Sequence, residues 1–90
     1  MKVLSLRHCP DGQAGAVRID RRTKWGNPFV IGRDGDRNQV CDKYEAYLRG
    51  NERLLACLPE LVGHDLLCWC APQRCHGDTL IKVMGERGLI

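Results

Sequence analysis

The stretch Leu66-Leu67-Cys68-Trp69-Cys70-Ala71-Pro72-Gln73-Arg74-Cys75-His76-Gly77-Asp78 decides how this chain is put together. Leu66 to Cys70 is an uninterrupted apolar run, the pattern of a strand covered on both faces rather than of a half-exposed one. It therefore reads as the central strand of a sheet. Ala71 to Arg74 reads as a connecting loop, and a helix starts between Cys75 and Asp78. Leu80, Ile81, Val83 and Met84 give that helix its buried stripe, and Gly85 or Gly88 ends it.

Upstream of this stretch, Val3 to Leu6 and Val17 to Ile19 read as short strands on either side of the turn-prone run Asp11 to Gly15. Phe29-Val30-Ile31, closed by Gly32 and Asp34-Gly35, reads as a further strand. Asp36 and Gln39 form an approximate capping box ahead of Val40, Tyr44, Tyr47 and Leu48, whose spacing marks one face of a helix ending near Gly50. Asn51 caps a second, shorter helix through Leu54, Leu55 and Leu58. Pro59 should stop it, because a residue before proline is pushed out of helical geometry. The expected fold is a small α/β sandwich of about three to four strands and about three helices, with residues 1–90 forming one domain.

Size and charge bound the possible functions. Ninety residues leave room for one modest core, and fourteen Lys and Arg against eleven Asp and Glu give a formal charge of +3. That charge permits a nucleotide or nucleic acid partner without demanding one. Charge interrupts the Met1 to Arg7 segment too early for a signal peptide, and no run approaches the ~20 apolar residues of a membrane span, so a cytoplasmic location is expected. Six cysteines raise the question of a disulfide framework. In a reducing compartment, however, Cys68, Cys70 and Cys75 crowded beside His76 fit metal binding or thiol chemistry better.

Three readings of the cysteine segment compete, the plainest being that Cys68 is a small buried apolar residue, Cys70 lines the turn, and His76 and Asp78 merely satisfy the helix start. On a strand, Cys68 and Cys70 share one side and Trp69 takes the other, so two thiols converge. With Cys75 and His76 they offer four donors of the kind tetrahedral zinc accepts, and zinc is the alternative cofactor reading. The third reading takes the strand, the short loop and the helix N-terminus as an anion and reaction site. There Cys75 would tend to its thiolate, His76 would serve as acid or base, and Asp78 or Thr79 would cap the helix or hold a ligand hydroxyl.

A second segment, Arg21-Arg22-Thr23-Lys24-Trp25-Gly26-Asn27-Pro28-Phe29, gathers cations, an aromatic ring, a glycine and an amide before the Phe29 run. As a ligand loop it would use Trp25 to stack on a base and Arg22 and Lys24 to meet phosphate. Gly26 would allow close backbone approach, and Asn27 would read a polar edge. As a plain turn, it would use Trp25 and Phe29 as anchors to the core.

Lys24-Trp25-Gly26-Asn27-Pro28-Phe29 together with Cys68-Trp69-Cys70-Ala71-Pro72 and Cys75-His76-Gly77-Asp78 resembles a family of small bacterial and bacteriophage proteins carried as a domain of unknown function. The likeness runs from about Val17 to Val83. The cysteine-histidine half also resembles the C-x4-C-H segment of another α/β family proposed to act on nucleotides or nucleic acids. What the resemblance implies is that both motifs belong to one site.

Three functional expectations follow. The first is a nucleotide- or nucleoside-directed enzyme with Cys75, His76 and Asp78 at the reacting end and Arg22, Lys24, Trp25, Gly26, Asn27 and Thr79 on the ligand. Glycosyl transfer or hydrolysis is the suggested reaction, although no second catalytic carboxylate is evident. The second is a non-catalytic module that binds a nucleotide or a host protein. The third is a structural zinc domain. An uncovered sheet edge would also suit a homodimer.

Overall fold

The computed structural model describes residues 2–7, 15–70 and 73–90, and shows three parallel strands and three α-helices. The strands are β1 (Val3–Ser5), β2 (Val17–Arg18) and β3 (Leu66–Cys68). Their order is β1-β3-β2, so the last strand in sequence lies in the middle, as the apolar run requires. Val3 pairs with Leu66, Ser5 with Cys68, and Val17 also with Leu66. All three residues of β3 are buried. Most of the run Asp11 to Gly15, and Ala71-Pro72 of the loop after β3, lie outside the described residues.

The helices begin and end where their caps place them. In α1 (Arg37–Arg49) the Asp36 carboxylate accepts the Gln39 N–H, and the Gln39 side chain accepts the Asp36 N–H, each at 2.8 Å. This reciprocal box satisfies two N–H groups that a helix start otherwise leaves unpaired. Asn51 caps α2 (Glu52–Cys57) through the Leu54 N–H. Pro59 ends the α-helical run but not the coil. Leu58–Leu61 continues as a 3-10 turn, since proline near a helix start removes only an N–H that has no partner there. Helix α3 (His76–Glu86) closes at Gly88, whose φ is +73°. The Gly88 N–H reaches Gly85 O and the Leu89 N–H reaches Met84 O, the paired bonds of a Schellman ending.

One expected strand is absent. Phe29-Val30-Ile31 forms no ladder, because its backbone groups are already engaged. The Phe29 N–H goes to Asn27 Oδ1, the Val30 N–H to Asp34 Oδ2 and the Asp34 N–H to Val30 O, while Arg21 donates to Phe29 O. A strand needs those same groups for a neighbour. The segment is held instead as a side-chain-stapled loop, with Phe29 edge-on to Tyr47 at 6.4 Å.

Strand, helix and loop share one core. Ile19 and Leu66 meet Tyr44 and Leu48 of α1, Leu54, Leu58 and Leu61, and Leu80, Val83 and Met84 of α3. Each fully buried leucine contributes roughly 1.5–3 kcal/mol. Gly77 sits where α3 meets the sheet: a Cβ there would lie 2.9 Å from both Ile19 Cδ1 and Val3 Cγ2. The glycine lets the first turn of α3 lie against β1 and β2, and this fixes Cys75 and His76 over the carboxyl ends of the strands.

Candidate functional site

A cleft opens at the carboxyl ends of β2 and β3, the position that open parallel sheets offer to ligands. Its space is about 130 Å³. Asp20 and Arg21 enter from the end of β2, Cys68, Trp69 and Cys70 from β3, Arg37 and Cys41 from α1, and Cys75 and His76 from the start of α3. Two helices therefore start at this cleft, and the positive ends of their dipoles favour negative charge there.

The floor is made of sulfur. Cys68 Sγ and Cys75 Sγ are 2.9 Å apart, and Cys70 lines the same cleft beside them. Cys75 is the N-cap of α3: its sulfur accepts the Gly77 N–H at 3.2 Å, and its own N–H goes to the Asp78 carboxylate at 3.1 Å. Hydrogen bonding to Cys68 and Cys70, reinforced by burial, pushes the Cys75 thiol up, so it is not the thiolate expected at a helix start. Cys70 takes that role. Hydrogen bonds from Cys68 and Cys75, with Arg37 beside it, hold Cys70 far below the ordinary thiol range.

His76 is 7% exposed. Its Nε2 lies 2.6 Å from Ile19 O. A carbonyl can only accept, so Nε2 carries the proton and Nδ1 keeps its lone pair. That lone pair faces Cys75 Sγ at 3.8 Å. Burial lowers the His76 pKa, which keeps the ring neutral. Tyr44 packs edge-on against it at 5.0 Å between ring centres, and the Tyr44 hydroxyl donates to Trp25 O at 2.8 Å.

The tryptophan segment is turned the other way. Trp25 is 3% exposed and belongs to the core, so the ring expected to stack on a base is an anchor. Asn27 is buried, donating to Val40 O at 3.1 Å and accepting the Phe29 N–H. A Cβ on Gly26 would fall 2.5 Å from Arg21 Cα, so that glycine serves a backbone-to-backbone approach within the protein. Lys24 is exposed, paired with Glu60 at 2.8 Å and lying over Trp25 at 5.4 Å. Arg22 is exposed, and Thr79 is buried. Asp78 is exposed and caps α3. Of the expected ligand and catalytic residues, Asn27, Cys75 and His76 line the cleft; Arg22, Lys24, Trp25, Gly26, Asp78 and Thr79 do not.

Other residues stand in the vacated places. Trp69 is 50% exposed at the cleft, which Asp20 also lines. Strict alternation would have turned it away from Cys68 and Cys70. The strand stops at Cys68, however, and the bend at Trp69 and Cys70 brings all three to one opening. Arg18 holds Asp20 below the usual carboxylate range. Arg21, Arg37 and Arg74 supply positive charge; Arg74 is anchored on Asn38 and Asp42, and Arg37 donates to Arg74 O. The cue to Trp69 was the short strand, and nothing periodic pointed to Arg37, Arg74 or Cys41.

Among the described residues, no group of three or more His, Cys, Asp or Glu has the geometry to hold a metal ion. No helix among them is long and apolar enough to cross a membrane.

Comparison with known proteins gives relatives but no activity. The chain is 35% identical over 69 residues to an uncharacterized protein of Acanthamoeba polyphaga mimivirus, an alignment covering 68% of this chain and 52% of that protein. It is 32% identical over 75 residues to an uncharacterized 12.4 kDa protein in the nrdA-td intergenic region of Enterobacteria phage T4, covering 78% and 68% respectively. The chain thus spans about half the length of its mimivirus relative. No solved structure matches it. Residues 5–86 match the family described as "Domain of unknown function (DUF4326)", and the chain belongs to that family, which has relatives in a giant virus and a bacteriophage.

Proposed function

We propose that this protein is directed at nucleotides or nucleosides, which it takes into the cleft between β2, β3 and the starts of α1 and α3. The observation that carries the reading is one opening with a half-exposed tryptophan at its mouth, arginines on its wall and thiols on its floor. A flat base stacks on an indole at about 1–3 kcal/mol, and guanidinium groups suit phosphate. The enclosed space, about 130 Å³, is smaller than the ~300 Å³ at which drug-sized pockets begin. It takes one end of such a ligand, with the remainder lying across Trp69.

Chemistry at the enclosed end falls to Cys70 as nucleophile, with Cys75 and the neutral His76 behind it. Asp20 is the carboxylate at the cleft; being tied to Arg18, it serves orientation rather than proton transfer. Thermal shift and calorimetry with a set of nucleoside mono-, di- and triphosphates test the proposal. Trp69→Ala and Arg37→Ala are each expected to weaken binding about tenfold or more without unfolding the chain. Unchanged affinity in both variants, or no binding of any nucleotide by the parent protein, overturns it. Product formation separates turnover from simple sequestration.

A further inference from the structure

The sulfur floor of the cleft has a chemistry of its own, whatever enters above it. Cys68 ends β3, Cys70 lies in the bend after it, and Cys75 caps α3; all three line one cleft. The Cys68–Cys75 separation is 2.9 Å, within about 1 Å of the length of a disulfide bond. Exposure differs sharply within the cluster. Cys68 and Cys75 are 1% and 2% exposed, whereas Cys70 is only partly buried and lines the cleft beside Arg37. Small oxidants therefore reach Cys70 first.

We propose that Cys68, Cys70 and Cys75 form a peroxide-oxidisable thiol site in which Cys70 is oxidised first and Cys75 is the resolving thiol. The Cys70 sulfur attacks one oxygen of hydrogen peroxide, the O–O bond breaks, and the second oxygen leaves as hydroxide and takes up a proton as water. Cys70 is then a sulfenic acid, with its sulfur oxidised by two electrons. The Cys75 sulfur attacks the Cys70 sulfur, an S–S bond forms, the S–O bond breaks, and a second water departs with the Cys75 proton. Attack by Cys68 on Cys75 then passes the bond to the buried Cys68–Cys75 pair and releases Cys70 as a thiol. The disulfide comes to rest on Cys68 and Cys75 because their sulfurs already lie 2.9 Å apart. A cellular dithiol reductant returns the cluster to its starting state.

The reduced protein is exposed to hydrogen peroxide, denatured in iodoacetamide and measured by intact mass and peptide mapping. Two of its six cysteines are expected to escape alkylation, and every cross-linked peptide is expected to contain Cys75. Cys75→Ser is expected to resolve more slowly, so that dimedone captures more Cys70 sulfenic acid than in the wild type. Cys70→Ser is expected to slow oxidation by about tenfold, since the remaining sulfurs are buried. Cys57, partly buried but outside the cluster, is the internal reference. If Cys75→Ser does not fold, the wild-type cross-link and the order of alkylation decide alone. Disulfides that omit Cys75, a Cys57 that reacts as fast as Cys70, or thiols that resist peroxide until a bound metal is chelated would each overturn the proposal.

Discussion

The two motif segments of this protein are built from the same kinds of residue and used in opposite ways. Residues 21–29 carry cations, a tryptophan and an amide, and use the tryptophan, the amide and one arginine to hold the fold: Trp25 in the core, Asn27 on Val40 O, and Arg21 on Asn27 O and Phe29 O, while Arg22 and Lys24 stay exposed. Residues 68–78 also carry a tryptophan, an arginine and hydrogen-bonding side chains, yet Trp69 and the thiols face an opening. The difference lies in what each segment connects. The first links a strand that ends at Arg18 to a helix that begins at Arg37, and a loop that long needs internal staples for its backbone. The second passes directly from a central strand into a helix start, where the sheet ends and a cleft opens.

The largest effect that would sharpen this contrast is on stability. Trp25→Ala is expected to lower unfolding free energy by about 3–5 kcal/mol, the range for a large aromatic removed from a core, as read by urea denaturation. Trp69→Ala is expected to cost only about 1 kcal/mol, since the ring is half exposed. Equal losses in the two variants would break the distinction between anchor and cleft residue.

A smaller effect concerns pH. His76 is surrounded by Cys75 and Cys70 on its own side, Asp20 and Arg21 across the cleft and Tyr44 behind, and burial holds its pKa below the ordinary 6.5. The unfolded chain therefore gains a proton before the folded one, and stability falls as pH drops from about 6.5 toward the folded pKa. Melting temperature is expected to decline less steeply over this interval in His76→Gln, whose amide can still donate to Ile19 O. Identical slopes would place the titrating group elsewhere. The smallest effect belongs to the rim of the first segment: Lys24→Ala removes an exposed pair with Glu60 and is expected to leave both the melting temperature and nucleotide affinity unchanged.

Much of the fold was legible because the relevant signals are local. The capping box at Asp36 and Gln39, the cap at Asn51 and the central position of Leu66 to Cys68 all follow from spacings of a few residues. The Phe29 run misled for the same reason. Its apolar, β-branched composition favours a strand, but Asn27, Asp34 and Arg21 claim its backbone first, and that claim depends on a loop geometry that periodicity does not encode.

The sequence by itself determined that strand and helix would meet near Cys70 to Cys75, and that cysteine and histidine would lie there together. Only the tertiary structure decided which aromatic ring faces the cleft, which sulfur is driven toward the thiolate, and which nitrogen of His76 carries the proton. Those outcomes rest on contacts such as His76 with Ile19, 57 residues apart in the chain. Such contacts form because burial leaves polar groups no water to bond, and the partner each one finds is set by the packing of elements far apart in sequence.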